Sequence, residues 1–137
     1  MSYSLIEKRL TKGKTIILDG GIGGELQKIG AKMDKGLWCG RCSIDSPDEL
    51  LKVHENYINA GADYISTSTY QVSYDRLQNM GYQSSEIKKV FQKSVDLVKE
   101  AIKESRSKKE IKIVGSFGPF ASYEPNASEY VGKYNST

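Results

Sequence analysis

"SPDELLKVHENYINAGADYISTSTYQ", residues 46–71, joins a helix to a strand, and that joint decides the fold. Ser46 is a plausible N-cap, and Pro47 takes the first helical position, where a missing N–H costs nothing. Asp48 and Glu49 favour the positive end of the helix dipole. Leu50, Val53, Tyr57 and Ile58 form an apolar stripe, and Gly61 stops the helix. "DYISTSTYQ" (63–71) is then strand-like and ends in a run of hydroxyls.

The same alternation extends to both sides. Upstream, "TIILDGG" (15–21) is a β-branched run closed by Asp19 and two glycines, which predicts a buried strand and a tight turn. "GGELQKIG" (23–30) suits a short helix closed by Gly30, and residues 31–45 show no period and read as a long loop. Downstream, "SSEIKKVFQKSVDLVKEAIKES" (84–105) is the longest amphipathic helix. Ile87, Phe91, Val95, Val98 and Ile102 lie on one side of it, and Ser84 or Ser85 is its cap. "EIKIVGSFGP" (110–119) is a third strand. The order β-α-β-α-β, with helices of crossover length, builds a parallel sheet, open or closed. Polar and glycine residues follow each strand: Asp19-Gly20-Gly21, Thr67-Ser68-Thr69 and Ser116-Phe117-Gly118. In parallel α/β folds the carboxyl ends of the strands carry the site, although such residues also serve as plain turns.

Composition narrows the function classes. The 137 residues suit one domain, and 38% hydrophobic with 27% charged residues is ordinary for a globular chain. A net charge of +3 is too small to argue for nucleic acid, and the basic run "KESRSKKEIK" (103–112) reads as a solvated helix end. "MSYSLIEKRL" has no signal-peptide core, and no apolar run reaches the ~20 residues of a membrane span. The expectation is a soluble cytoplasmic protein without a membrane or nucleic-acid partner. The sequons at Asn126 and Asn135 then read as chance.

Several motifs invite sharper readings. "GLWCGRC" (36–42) holds both cysteines, Cys39 and Cys42. A thiol redox site needs a strand before it and a helix opening on it, and neither is adjacent here. A zinc site needs three or four ligands, and the chain offers two thiols and the distant His54. His54, beside the apolar stripe, reads as a packed helix histidine. "DGGIGGEL" fails as a dinucleotide fingerprint because Leu26 stands where the third glycine is required. "KGKT" (12–15) lacks the first glycine of a P-loop and precedes a strand.

Three segments, "ILDGGIGGELQKIG", "LWCGRCSIDSPDELLKVHENYINAGADYISTSTYQ" and "VGSFGPFASYEPNASEYVGKY", together resemble the homocysteine S-methyltransferases. They follow the family's order and spacing from Ile16 to Tyr134. The likeness is closer to members using S-methylmethionine or S-adenosylmethionine, because those using betaine carry an aromatic where this chain has Gln71.

The resemblance implies a (β/α)8 TIM barrel that transfers a methyl group from a sulfonium donor to the thiol of homocysteine, giving methionine. It implies that residues 1–137 form a partial homocysteine-binding domain, the N-terminal β-α-β-α-β portion of that barrel and incomplete in this chain. It implies that Asp19 and Gly20 bind the amino-acid part of homocysteine, with Asp19 facing the ammonium. Thr67 would add a hydrogen bond, Trp38 would cover the methyl donor, and Gln71 and Ser116 are candidates by their place at strand ends. The family's zinc is held by three cysteines in Gly-x-Asn-Cys and Gly-Gly-Cys-Cys segments, which this sequence does not contain. Cys39 and Cys42 do not correspond to those ligands, and no catalytic or metal-binding residue is assigned here. The expectation is therefore an enzyme part that works with a missing C-terminal half or associates with itself. The alternatives are an inactive homocysteine-binding unit and, more remotely, a thiol redox protein.

Overall fold

The computed structural model describes residues 3–119 together with Ser122, Tyr130 and Gly132. Within the third resembling segment, Ser128, Glu129 and Tyr134 lie outside the described residues, as do Asn126 and Asn135.

A first helix, α1 (Tyr3–Thr11), buries none of its residues. The strand expected at 15–21 is reduced to one parallel bridge, Leu18 to Tyr64. It is nonetheless tied down, because Asp63 and Tyr64 both donate their N–H to the Ile17 carbonyl, at 2.7 and 3.1 Å. Next comes α2 (Ile22–Lys28), close to the expected span. Gly30 follows it at φ +81°, a left-handed conformation that suits glycine, and donates its N–H to Gln27 at 3.1 Å.

The expected long loop at 31–45 is partly ordered. It contains an antiparallel bridge between Asp34 and Trp38 and a single helical turn, α3 (Cys42–Asp45). The turn carries an ion pair four residues apart, Arg41 Nη2 to Asp45 Oδ1 at 2.8 Å. Then α4 (Pro47–Asn59) opens on Pro47, with Asp48 and Glu49 in its first turn. Ser46 stands at the cap position without a side-chain capping bond. Gly61, at φ +106°, ends the helix.

Strand β1 (Tyr64–Ser66) is three residues long, much shorter than the 63–71 run, because the chain bends at Ser68, just after the Thr67 N–H donates to the Val114 carbonyl at 3.0 Å. A short helix, α5 (Tyr74–Asn79), follows, with Ser73 Oγ accepting from the Arg76 N–H at 3.1 Å. The long helix α6 (Ser84–Glu104) is capped at Gln83 rather than at Ser84 or Ser85. The Gln83 N–H donates to the Glu86 carboxylate at 2.8 Å. Its buried face is also rotated from expectation. Ile87, Val90, Ser94, Leu97, Val98 and Ala101 are buried, while Phe91, Val95 and Ile102 flank them half-exposed. Strand β2 (Lys112–Val114) closes the described order and is again shorter than the 110–119 run.

Strands β1 and β2 pair in parallel, Tyr64 with Lys112, Ile65 with Ile113 and Ser66 with Val114. With the Leu18 bridge on the other side of β1, chain order equals spatial order, as crossover helices require. Helix α4 packs on α6, and both pack on the strands. Ile58, Ala62, Ile65, Val98, Ala101 and Ile111 form the core between them. A second cluster, around Leu26, Leu50, Val53 and Leu97, fixes α2 beside α4. A third, around Leu37, Val72, Leu77 and Ile87, anchors the 34–40 loop and α5 on α6. These anchors bring three loops to one end of the strands.

Candidate functional site

The first loop is Asp19-Gly20-Gly21. Both Asp19 carboxylate oxygens are engaged by Ser66: its N–H donates to Oδ2 at 2.8 Å and its hydroxyl to Oδ1 at 2.7 Å. Tyr57 of α4 donates its hydroxyl to the Gly21 carbonyl at 3.3 Å. A Cβ at Gly20 would stand 2.9 Å from the Tyr57 oxygen, so glycine is what lets this turn rest on the ring.

The second and third loops share a closed hydrogen-bond ring. The Ser116 N–H donates to Thr67 Oγ1 at 3.1 Å, and Thr69 Oγ1 donates to the Ser116 carbonyl at 2.7 Å. The two threonine hydroxyls lie 2.7 Å apart. Thr69 has a single proton and has given it to Ser116, so Thr67 is the donor to Thr69. Thr67 can then offer an incoming ligand only a lone pair. Ser68 Oγ and Gln71 Oε1, both buried, have no hydrogen-bond partner among the described residues.

Trp38 supplies a wall. It is at φ +48°, a left-handed conformation that non-glycine residues adopt at a cost of roughly 1–2 kcal/mol. Asp34 holds it there. Its Oδ1 accepts from the N–H of Gly36 at 2.7 Å and of Leu37 at 2.6 Å, and its N–H donates to the Trp38 carbonyl at 2.9 Å.

Gly20, Trp38, Thr67, Gln71 and Ser116 meet around one cleft of about 240 Å³, with Gly21, Gly23, Gly24, Ser66, Ser68 and Cys39 among the other lining residues. Asp19 stands behind Ser66 and does not line it. No lining residue among the described residues is charged, and the polar side of the cleft is backed by the Asp19 carboxylate through Ser66. Sequence reasoning passes over Ser66 and names Thr69 only within the strand-end group Thr67-Ser68-Thr69, without a role of its own. The roles of Tyr57 and Gly23 are set by tertiary approach and leave no local mark.

The groups with other readings sit elsewhere or are inert. Cys39 is half-buried at the cleft and Cys42 is buried, and both are free thiols. Burial pushes each thiol up to about 11, and for Cys42 the neighbouring Cys39 and Asp45 add to the effect. His54 is buried in α4, neither ring nitrogen has a hydrogen-bond partner among the described residues, and burial lowers it to about 4. Among the described residues no three His, Cys, Asp or Glu side chains are grouped as metal ligands, and no helix is long and apolar enough to cross a membrane.

The family model of homocysteine S-methyltransferase matches residues 16–137. The chain is 32% identical to homocysteine S-methyltransferase 2 of Zea mays over 89% of its own length and 39% of that protein. It is 32% identical to a selenocysteine Se-methyltransferase of Brassica oleracea var. italica, covering 96% of this chain and 42% of the relative. Among solved structures, the metallated form of the Escherichia coli homocysteine methyltransferase MmuM superposes with a TM-score of 0.77 at 27% identity, covering 98% of this chain and 47% of that one. The chain thus spans about two-fifths of the length of these curated relatives.

Proposed function

From the premise that this chain belongs to the homocysteine S-methyltransferase family, we propose that its cleft holds homocysteine and part of a sulfonium methyl donor. The observation that carries this reading is the chemistry of the cleft. Its uncharged lining is backed by one carboxylate, it offers lone pairs rather than protons at Thr67, and an indole forms one wall. Such a site favours cationic ligands. The Asp19 carboxylate, held behind Ser66, attracts the substrate ammonium electrostatically, and Thr67 accepts one of its N–H groups. Gly20, Gln71 and Ser116 complete the amino-acid end. Trp38 faces the sulfonium of S-methylmethionine or S-adenosylmethionine, a cation–π contact of about 0.5–2 kcal/mol.

The reaction served is transfer of a methyl cation equivalent. The homocysteine thiolate attacks the methyl carbon, and the donor sulfur leaves as a neutral thioether with the bonding pair. The family's zinc does not fit the described residues. The two thiols are without a third ligand nearby and are held protonated, and no step is assigned through a metal in this chain. Full turnover then draws on barrel elements beyond these 137 residues, supplied by the same product or by a partner chain. For the 137 residues alone, homocysteine binding without turnover is the second reading, favoured because no activated acid, base or nucleophile is among the described residues that line the cleft. Thiols raised to about 11 also argue against redox chemistry at Cys39 and Cys42.

Calorimetric titration of the chain with homocysteine tests the site. Asp19→Asn is expected to weaken binding about tenfold, because the attraction of the carboxylate for the ammonium is lost while an oxygen remains to accept from Ser66. Equal binding by both proteins would overturn the assignment. Methionine formation from S-methylmethionine and homocysteine, with zinc added, is expected to be absent. Turnover near 1 s⁻¹, the low end of ordinary enzymes, would overturn the second reading.

A further inference from the structure

We propose that Gly23 is a positioning residue for Trp38: its missing Cβ is the seat in which the indole lies. A Cβ built at Gly23 would stand 2.6, 2.7 and 2.9 Å from three atoms of the Trp38 six-membered ring. Carbon atoms settle at roughly 3.5–4.0 Å, so even alanine would displace the ring by about an ångström. The neighbouring Gly24, in the same helix, has nothing within 4 Å of such a Cβ. Thus one glycine of this pair makes room for the indole and the other does not.

The loop side of the seat is built as deliberately. Asp34 pins the turn that forces Trp38 into its left-handed backbone, and buried Leu37 anchors that turn in the core. Arg76 of α5 steadies it from outside, donating from Nη2 to the Gly36 carbonyl at 2.6 Å and from Nη1 to the Ser122 carbonyl at 3.3 Å. The guanidinium thereby couples the Trp38 loop to the segment after β2. Trp38, Gly23 and Gly24 all line the cleft, so the seat sets the width available beside the indole. In its functional sense the proposal rests on Trp38 being the donor wall, since a displaced ring would meet a sulfonium less well.

Trp38 is the chain's one tryptophan, so its fluorescence reports this seat directly. Emission maximum and acrylamide quenching are compared, without ligand, for the unmodified chain, Gly23→Ala and Gly24→Ala, with circular dichroism as the check on folding. Gly23→Ala is expected to red-shift the emission and raise the quenching constant, and Gly24→Ala to match the unmodified chain. Asp34→Ala is expected to do the same from the loop side with Gly23 intact, and Asp34→Asn, which keeps the accepting oxygen, to restore the original spectrum. If folded Gly23→Ala is indistinguishable from Gly24→Ala, or if Asp34→Ala leaves the spectrum unmoved, the seat is wrong. Titration with S-methylmethionine then separates the two ideas. Gly23→Ala is expected to bind about fivefold more weakly, matching a cation–π loss of about 1 kcal/mol. A fluorescence change in Gly23→Ala alongside no response of the unmodified chain to the sulfonium would retain the seat and refute the donor wall.

Discussion

At the scale of single residues, His54 is the most exacting case. Its position beside an apolar stripe reads from sequence as packing, and it is fully buried. What the sequence does not show is that both ring nitrogens go without partners among the described residues. Burial lowers the folded imidazole to about 4, against an ordinary 6.5. Between those values the unfolded chain takes up a proton that the folded chain refuses. Stability is therefore whole above pH 6.5 and falls as the pH drops towards 4. A tenfold difference in proton affinity between the folded and unfolded imidazole corresponds to about 1.4 kcal/mol, so the full loss is about 3 kcal/mol. Urea unfolding at pH 7, 5.5 and 4 is expected to show this decline, and His54→Leu is expected to remove most of it. A variant with the same pH slope as the unmodified chain would place the acid sensitivity elsewhere. At pH 7 the leucine variant should be at least as stable, since it deletes two unsatisfied polar atoms.

At the scale of elements, legibility follows local signals. Pro47 and Gly61 bracket α4 closely, and Gly30 ends α2, because a proline without an N–H and a glycine free to turn left-handed act within a few residues. The apolar pattern misplaces the face of α6 because its most buried surface includes Ser94 and Ala101, small residues that carry little hydrophobic signal. Helix α1 has no buried face to betray it, and α5 is a short helix whose cap, Ser73, is one serine among many. The strands are legible but overextended, since a β-branched run marks a strand without revealing where its partner ends. The joint between the first such run and β1 depends on Asp63. Its Oδ2 accepts from the Ile17 N–H at 3.0 Å, and Oδ1 meets Arg9 at 3.4 Å and Lys109 at 3.5 Å. The Ile17 hydrogen bond leads in holding its carboxyl below the usual carboxylate range, so its contribution is present at neutral pH and lost as acid titrates it. Both cations are substantially exposed and contribute at most about 1 kcal/mol each. The larger contribution comes from the part-buried Ile17 bond, so Asp63→Ala is expected to cost about 2–3 kcal/mol and Asp63→Asn less, because an amide oxygen still accepts. Urea unfolding with hydrogen exchange at the Ile17 amide checks this. Unchanged protection in Asp63→Ala would show that the clasp does not hold the segment.

For the whole molecule, the polar strand ends are readable as a site because parallel strands put their carboxyl ends together whatever their length. The strength of the sheet is not readable, and it governs how these 137 residues behave alone. The described sheet has two strands of three residues and one bridge. Among the described residues neither Leu18 nor β2 has a second neighbour, which leaves backbone N–H and C=O groups on two edges. Helices α4 and α6 cover the face of Ile65 and Ile113. By alternation Leu18 lies on the other face with Tyr64 and Val114, and it is 58% exposed while Val114 is only partly buried. An eight-stranded barrel of about 250 residues would fill that face from its other strands. Each aliphatic side chain left in water forgoes roughly 1.5–3 kcal/mol, and a few of them amount to much of a domain's net stability of about 5–15 kcal/mol. The 137-residue chain is therefore expected either to self-associate through these edges or to unfold at low urea. Addition of a polypeptide carrying the remaining strands of a homocysteine S-methyltransferase barrel should suppress both behaviours. Size-exclusion chromatography with light scattering, followed by urea unfolding, measures them. A monodisperse monomer with one cooperative transition and a stability above about 5 kcal/mol would mean that the three helix-packed clusters suffice, and that the exposed edges carry no such cost.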